Sequence, residues 1–76
     1  MARQYKLFLD GITYIDADGK RCDYKLTTSM DAKKAAELYQ ANATITDMHD
    51  RVVSKANIGH DGRAYSISFD REEMLK

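Results

Sequence analysis

The chain has no proline, no tryptophan, one cysteine and four glycines, and its formal net charge is zero. Each shortage removes a class of protein. The lone thiol, Cys22, cannot close an internal disulfide, whereas small secreted domains usually carry several cysteines. The expected compartment is therefore the cytoplasm. Lys and Arg together number 12 and so do Asp and Glu. Nucleic-acid binders usually need a basic excess, because phosphate neutralisation supplies much of their affinity, so the balance disfavours a nucleic-acid partner. No apolar run approaches the roughly 20 residues that span a bilayer, and the start, Met1-Ala2-Arg3-Gln4-Tyr5-Lys6, has no apolar signal core. No membrane partner is expected, and the initiator Met1 points to a complete short reading frame. With no proline, no repeat and no biased stretch there is no linker, and residues 1–76 read as a single compact domain.

Hydrophobic residues at 43% and charged residues at 32% with mixed sign place the chain among globular, not disordered, sequences. A domain this short buries only about 60% of the surface its unfolded chain exposes. Small domains without metal or disulfide often gain stability from a partner or from a second copy as a homodimer.

Periodicity supplies the fold. Tyr5, Leu7 and Leu9 alternate with Lys6, Phe8 and Asp10, and the pattern resumes after Gly11 to Ile15, which predicts one strand bent at the glycine. Asp16-Ala17-Asp18-Gly19 has turn composition. From Arg21 to Thr28, Cys22, Tyr24 and Leu26 alternate with polar residues, predicting a second strand in hairpin with the first. Ala32, Ala35, Ala36 and Tyr39, widened by Leu38, form the buried stripe of a helix over 30–41, capped by Thr28 or Ser29 and ended at Asn42. Residues 43–48 and 51–58 read as strands around a tight turn near His49-Asp50. Gly59-His60-Asp61-Gly62 is a turn, and Arg63 to Phe69 a further strand with Tyr65, Ile67 and Phe69 inward. Asp70 and Glu73 mark a short C-terminal helical turn reaching Leu75. The expected fold is α+β: an antiparallel sheet of four to five strands, in ββαββ-like order, packed on one helix and leaving one sheet face uncovered.

No motif carries chemistry. Aligning Gly19 to the glycine of a calcium loop puts Tyr14 and Lys25 where carboxylates must stand. Cys22, His49 and His60 lack zinc-ligand spacing, and Cys22 alternates in phase with core positions, where a thiol packs as a small apolar residue. No phosphate loop, dinucleotide fingerprint or nucleophile elbow is present. No catalytic, cofactor-binding or metal residue is assigned, and the chain is not expected to be an enzyme.

By elimination the expected function is non-enzymatic binding through protein–protein contact. Sheet edges accept strands, and Tyr and Arg anchor interfaces. Tyr14, Lys20 and Arg21 near the first turn, and His60 and Arg63 near the last, are the candidate contacts. The alternative is a small nucleic-acid-binding domain that stacks bases on sheet aromatics. In size and organisation alone the chain resembles small phage-encoded inhibitor proteins, including some anti-CRISPR proteins, a likeness that implies inhibition by covering a partner's surface. No motif is shared, so no residue's role is carried over.

Overall fold

A computed structural model describes residues 3–74. In chain order the elements are β1 (Tyr5–Leu9), β2 (Tyr14–Ile15), β3 (Arg21–Cys22), β4 (Tyr24–Thr27), α1 (Ala32–Tyr39), β5 (Ala43–Thr46), β6 (Val52–Ile58) and β7 (Ala64–Ser66). Five strands form one antiparallel sheet in the order β4-β1-β5-β6-β7, and β2 pairs with β3 as a separate two-stranded arm. The α+β fold is as expected, with the helix on one face of the sheet.

The helix and the strands beneath it meet through alanine. Ala32 and Ala36 on α1, Ala43 on β5, Ala56 on β6 and Ala64 on β7 are all buried. With no side chain beyond Cβ, these residues let the helix backbone lie close to the sheet. The contacts of α1 accordingly fall on β6, then β7 and β5, and thin out at β1. Tyr5, Leu7 and Leu9 of β1 and Ile45 of β5 fill the thicker half of the core. The helix start is tied to β6 by the Ala32 N–H, which donates to Ser54 Oγ at 3.1 Å. Asp31 caps it by accepting from the Lys34 N–H at 3.1 Å.

Several local expectations are corrected. The first strand stops at Leu9, because Gly11 at φ 75° turns the chain and Ile12 N–H donates to the Leu9 carbonyl at 3.2 Å. Tyr14 and Ile15 then start the arm instead of extending the sheet. The helix is shorter than 30–41: Asp31, not Thr28 or Ser29, is the cap, and Gln40 at φ 52° ends it in place of Asn42. Leu38 does not widen the buried stripe; it is 72% exposed. In β7 the phase is inverted. Ala64 is the buried residue and Tyr65 is 51% exposed, since the closely seated helix leaves room only for a methyl group there. Tyr24 and Leu26 likewise point away from the helix, opposite Phe8 and Lys6.

The hairpin over 43–58 forms as expected. Its turn is held by Asp47, whose Oδ1 accepts from the His49 N–H at 2.8 Å and the Arg51 N–H at 3.0 Å. A register shift between Ile45 and Thr46 bulges β6 there. The C-terminal segment makes a turn from Asp70 to Glu73 and then an extended bridge, Arg51 to Met74, not a helical turn. Leu75, expected in that turn, lies outside the described residues.

Ile45→Ala should cost about 2–5 kcal/mol, because Ile45 is among the largest fully buried side chains, whereas Leu38→Ala should stay within about 0.5 kcal/mol. Chemical denaturation of both variants checks this; equal losses would contradict the placement of the helix.

Candidate functional site

The two edges of the sheet differ, and the difference follows from backbone alternation. Alternate residues of an antiparallel strand bond to opposite neighbours. Asp10 N–H donates to the Asn42 carbonyl at 3.0 Å. Phe8 and Lys6, in phase with Asp10, therefore also bond toward β5, and Leu7 and Tyr5 bond toward β4. Leu7 faces Lys25 and Tyr5 faces Thr27. Lys25 and Thr27 thus direct their backbone groups to β1, while those of Tyr24 and Leu26 turn outward. Among the described residues no group pairs with them.

At the other edge, Gly59 N–H donates to the Arg63 carbonyl at 2.8 Å and Ile67 N–H to the Lys55 carbonyl at 2.9 Å. The same alternation turns Ala64 and Ser66 of β7 outward. There the helix intervenes: Glu37 Oε2 accepts from the Ala64 N–H at 3.3 Å. One edge is partly capped by a side chain, and the other is bare.

Beside the bare edge lies a mostly apolar cleft of about 230 Å³ between β4 and α1. It exists because the alanine seam seats the helix over β5, β6 and β7. Leu7 and Ile45 form its base, Ala35, Leu38 and Tyr39 the helix wall, and Lys25 and Thr27 the strand wall. Small-molecule sites start near roughly 300 Å³, so the cleft is scaled to one or two side chains. Lys25 and Lys34 line it and have no ion partner among the described residues. The two ion pairs among the described residues are elsewhere, Lys6–Asp50 at 3.1 Å and Lys55–Glu73 at 2.7 Å.

On the reverse face, Phe8 and Tyr24 stack tilted at 5.6 Å between centroids, and Lys6 Nζ lies 4.8 Å from the Tyr24 ring centre. Leu26, 47% exposed, continues this patch to the edge.

The turn residues singled out by sequence fall at one end of the sheet, where β1 ends and β7 begins. Lys20 and Arg21 are exposed on the arm, whose tip is held by Asp16 Oδ1 accepting from the Asp18 and Lys20 N–H groups, each at 2.9 Å. His60 and Arg63 are exposed on the β6–β7 turn. The arm joins β1 to β4 and the other turn joins β6 to β7, so the two groups leave from opposite sides of the sheet. Tyr14 is different. Its ring packs on the core, its hydroxyl is buried without a partner among the described residues, and burial, then the neighbouring Tyr39, raises its pKa. It fastens the arm to the body.

The β6–β7 turn is closed by Tyr65, whose hydroxyl donates to Asp61 Oδ2 at 2.6 Å. A Cβ on Gly59 would stand 2.8 Å from the Tyr65 ring, so the ring needs glycine there. Cys22 is half-buried in the arm, and His49 and His60 occupy turns at opposite ends of β6. No group of three or more His, Cys, Asp or Glu that could hold a metal forms among the described residues, and none of their helices is long and apolar enough to cross a membrane. Sequence reasoning missed Lys25, Leu26, Lys34 and Leu38 as site residues. No signal along the chain marks them, because the single alanines of β5, β6 and β7 reveal neither the strand order nor the edge.

No family model, no curated protein and no solved structure matches the chain.

Asp47 and Asp61 give the fold an acid dependence. The Arg51 and His49 N–H groups lower the pKa of Asp47, and the Tyr65 hydroxyl and then the Arg63 N–H lower that of Asp61. A carboxyl lowered on folding stabilises fully above its unfolded value of about 3.9 and loses that contribution as pH falls through its folded value. The melting temperature should therefore drop below about pH 4, and less steeply in an Asp47→Asn/Asp61→Asn variant. Parallel acid profiles of the two proteins would contradict these roles.

Proposed function

We propose that this protein is a non-enzymatic binding module that takes up an extended segment of a partner protein along the outer edge of β4. The observation that carries the reading is the outward backbone of Tyr24 and Leu26 beside an open cleft, set against the partly capped β7 edge. An added strand would hydrogen-bond to these groups, and its alternate side chains would enter the cleft or cover Leu26. Such capture would place the domain over the partner's surface, the mechanical basis of an inhibitor acting by occlusion. Lys20 and Arg21, on the arm that follows from the same edge, would extend the contact. His60 and Arg63 lie across the sheet and would belong to a separate one.

A nucleic-acid partner draws less support. The lysines of the reverse face, Lys6 and Lys55, already pair with Asp50 and Glu73, which leaves Arg21 as the unpaired cation beside the Phe8–Tyr24 stack among the described residues. A role for Cys22 in covalent chemistry has no base or ligand cluster to support it.

Proline separates the binding role of β4 from its structural role. Proline is tolerated on an edge strand where its missing N–H would face solvent. Leu26→Pro should leave the domain folded, while Lys25→Pro removes a ladder bond to β1 and should unfold it or lower its melting temperature sharply. In affinity capture from native host lysate with nuclease present, the natural chain should recover a stoichiometric protein that Leu26→Pro, checked as folded by circular dichroism, does not. Retention of that protein by Leu26→Pro, or recovery only without nuclease, would contradict the reading.

A further inference from the structure

We infer that the segment accepted by β4 is acidic and β-prone, with a carboxylate on the face that enters the cleft. This rests on the strand-addition reading and goes on to name the chemistry of the partner. The whole sheet is antiparallel, and an antiparallel addition keeps its hydrogen-bond geometry. In that arrangement the partner residue opposite Leu26 exchanges both backbone bonds with it and lies on the reverse face. Its two neighbours lie opposite Lys25 and Thr27, and their side chains point to the cleft.

The cleft face selects what those neighbours are. Its charged lining is Lys25, Lys34 and Asp31. The Asp31 carboxylate caps the helix, its Oδ1 accepting from the Lys34 N–H at 3.1 Å, and keeps its charge, so the lining carries one net positive charge. Neither lysine takes part in an ion pair among the described residues. Two amines against one carboxylate therefore line the cleft beside Ala35 and Leu38, and Lys25, on the strand wall, is the charge an added strand meets. A carboxylate opposite Lys25 makes a cross-strand pair of opposite charge, and an aliphatic side chain beside it covers Leu38. A lysine or arginine in either place meets like charge at close range. The reverse face asks only for an apolar residue against Leu26. The accepted segment thus combines acidic residues with valine, isoleucine or leucine.

Two labelled octapeptides test this, one alternating valine with glutamate and one alternating valine with lysine. Binding is read by fluorescence anisotropy, and its location by amide chemical shifts of the isotope-labelled full chain. The glutamate peptide should bind at least about tenfold more tightly. The gap should shrink between about 50 mM and about 0.5 M salt as exposed charges are screened. It should reverse in a Lys25→Glu/Lys34→Glu variant, and the largest shifts should fall on Tyr24 and Leu26. Equal binding of both peptides with shifts at Leu26 would overturn the acidic preference and leave strand addition standing. Shifts confined to other strands, or no binding of either peptide up to about millimolar concentration, would overturn both.

Discussion

The close contact of α1 with the strands beneath it, alanine upon alanine, sets most of what else is found in this domain. Ala32 and Ala36 rest on a floor of Ala43, Ala56 and Ala64. A helix can approach a sheet this closely only where neither surface carries larger side chains. The small-residue floor lies under β5, β6 and β7, so the helix is seated off the centre of the sheet. The larger residues of β1 fill the rest of the core, and β4 extends beyond the helix. The cleft is a consequence of that offset.

The same contact makes the edges unequal. Seated over β7, the helix brings Glu37 within reach of the Ala64 N–H and gives that edge a partner. The far edge receives none among the described residues. Exposed strand edges are prone to uncontrolled pairing, and natural proteins blunt them with short strands and charged residues. β4 shows both devices, being four residues long and carrying Lys25. Such an edge suits selective pairing: the lysines that deter a neutral or basic strand favour an acidic one. Specificity then comes from repulsion of the wrong segment as much as from attraction of the right one.

Much of this architecture was legible in the sequence. The spacing of Ala32, Ala35 and Ala36 marks the helix, and Thr44-Ile45-Thr46 with Val52-Val53 marks a hairpin around the turn that Asp47 builds. What period-two alternation does not encode is which of the two faces meets the helix. Tyr65 and Ala64 alternate in a regular pattern, and aromatic size argues for Tyr65 inside. The opposite holds because the nearby helix admits only a methyl group. Tyr24 and Leu26 were misplaced because alternation alone does not choose a face, and their register opposite Phe8 and Lys6 puts them on the reverse one. Gly11 permits either a bulge or a turn, and the turn is settled by tertiary pairing of β1 with both β4 and β5. Strand order is a long-range property with no local signature, so an edge at β4, and with it Lys25, Lys34 and Leu38 as site residues, was out of reach of a reading along the chain.

Hydrogen exchange of single amides in the free protein probes the bare edge of β4 at four neighbouring N–H groups. Tyr24 and Leu26 should exchange at nearly unprotected rates while Lys25 and Thr27, bonded to β1, are protected along with the sheet. Protection of Leu26 equal to that of Lys25 would mean that its N–H is already engaged, and the bare edge on which the proposed function depends would not exist.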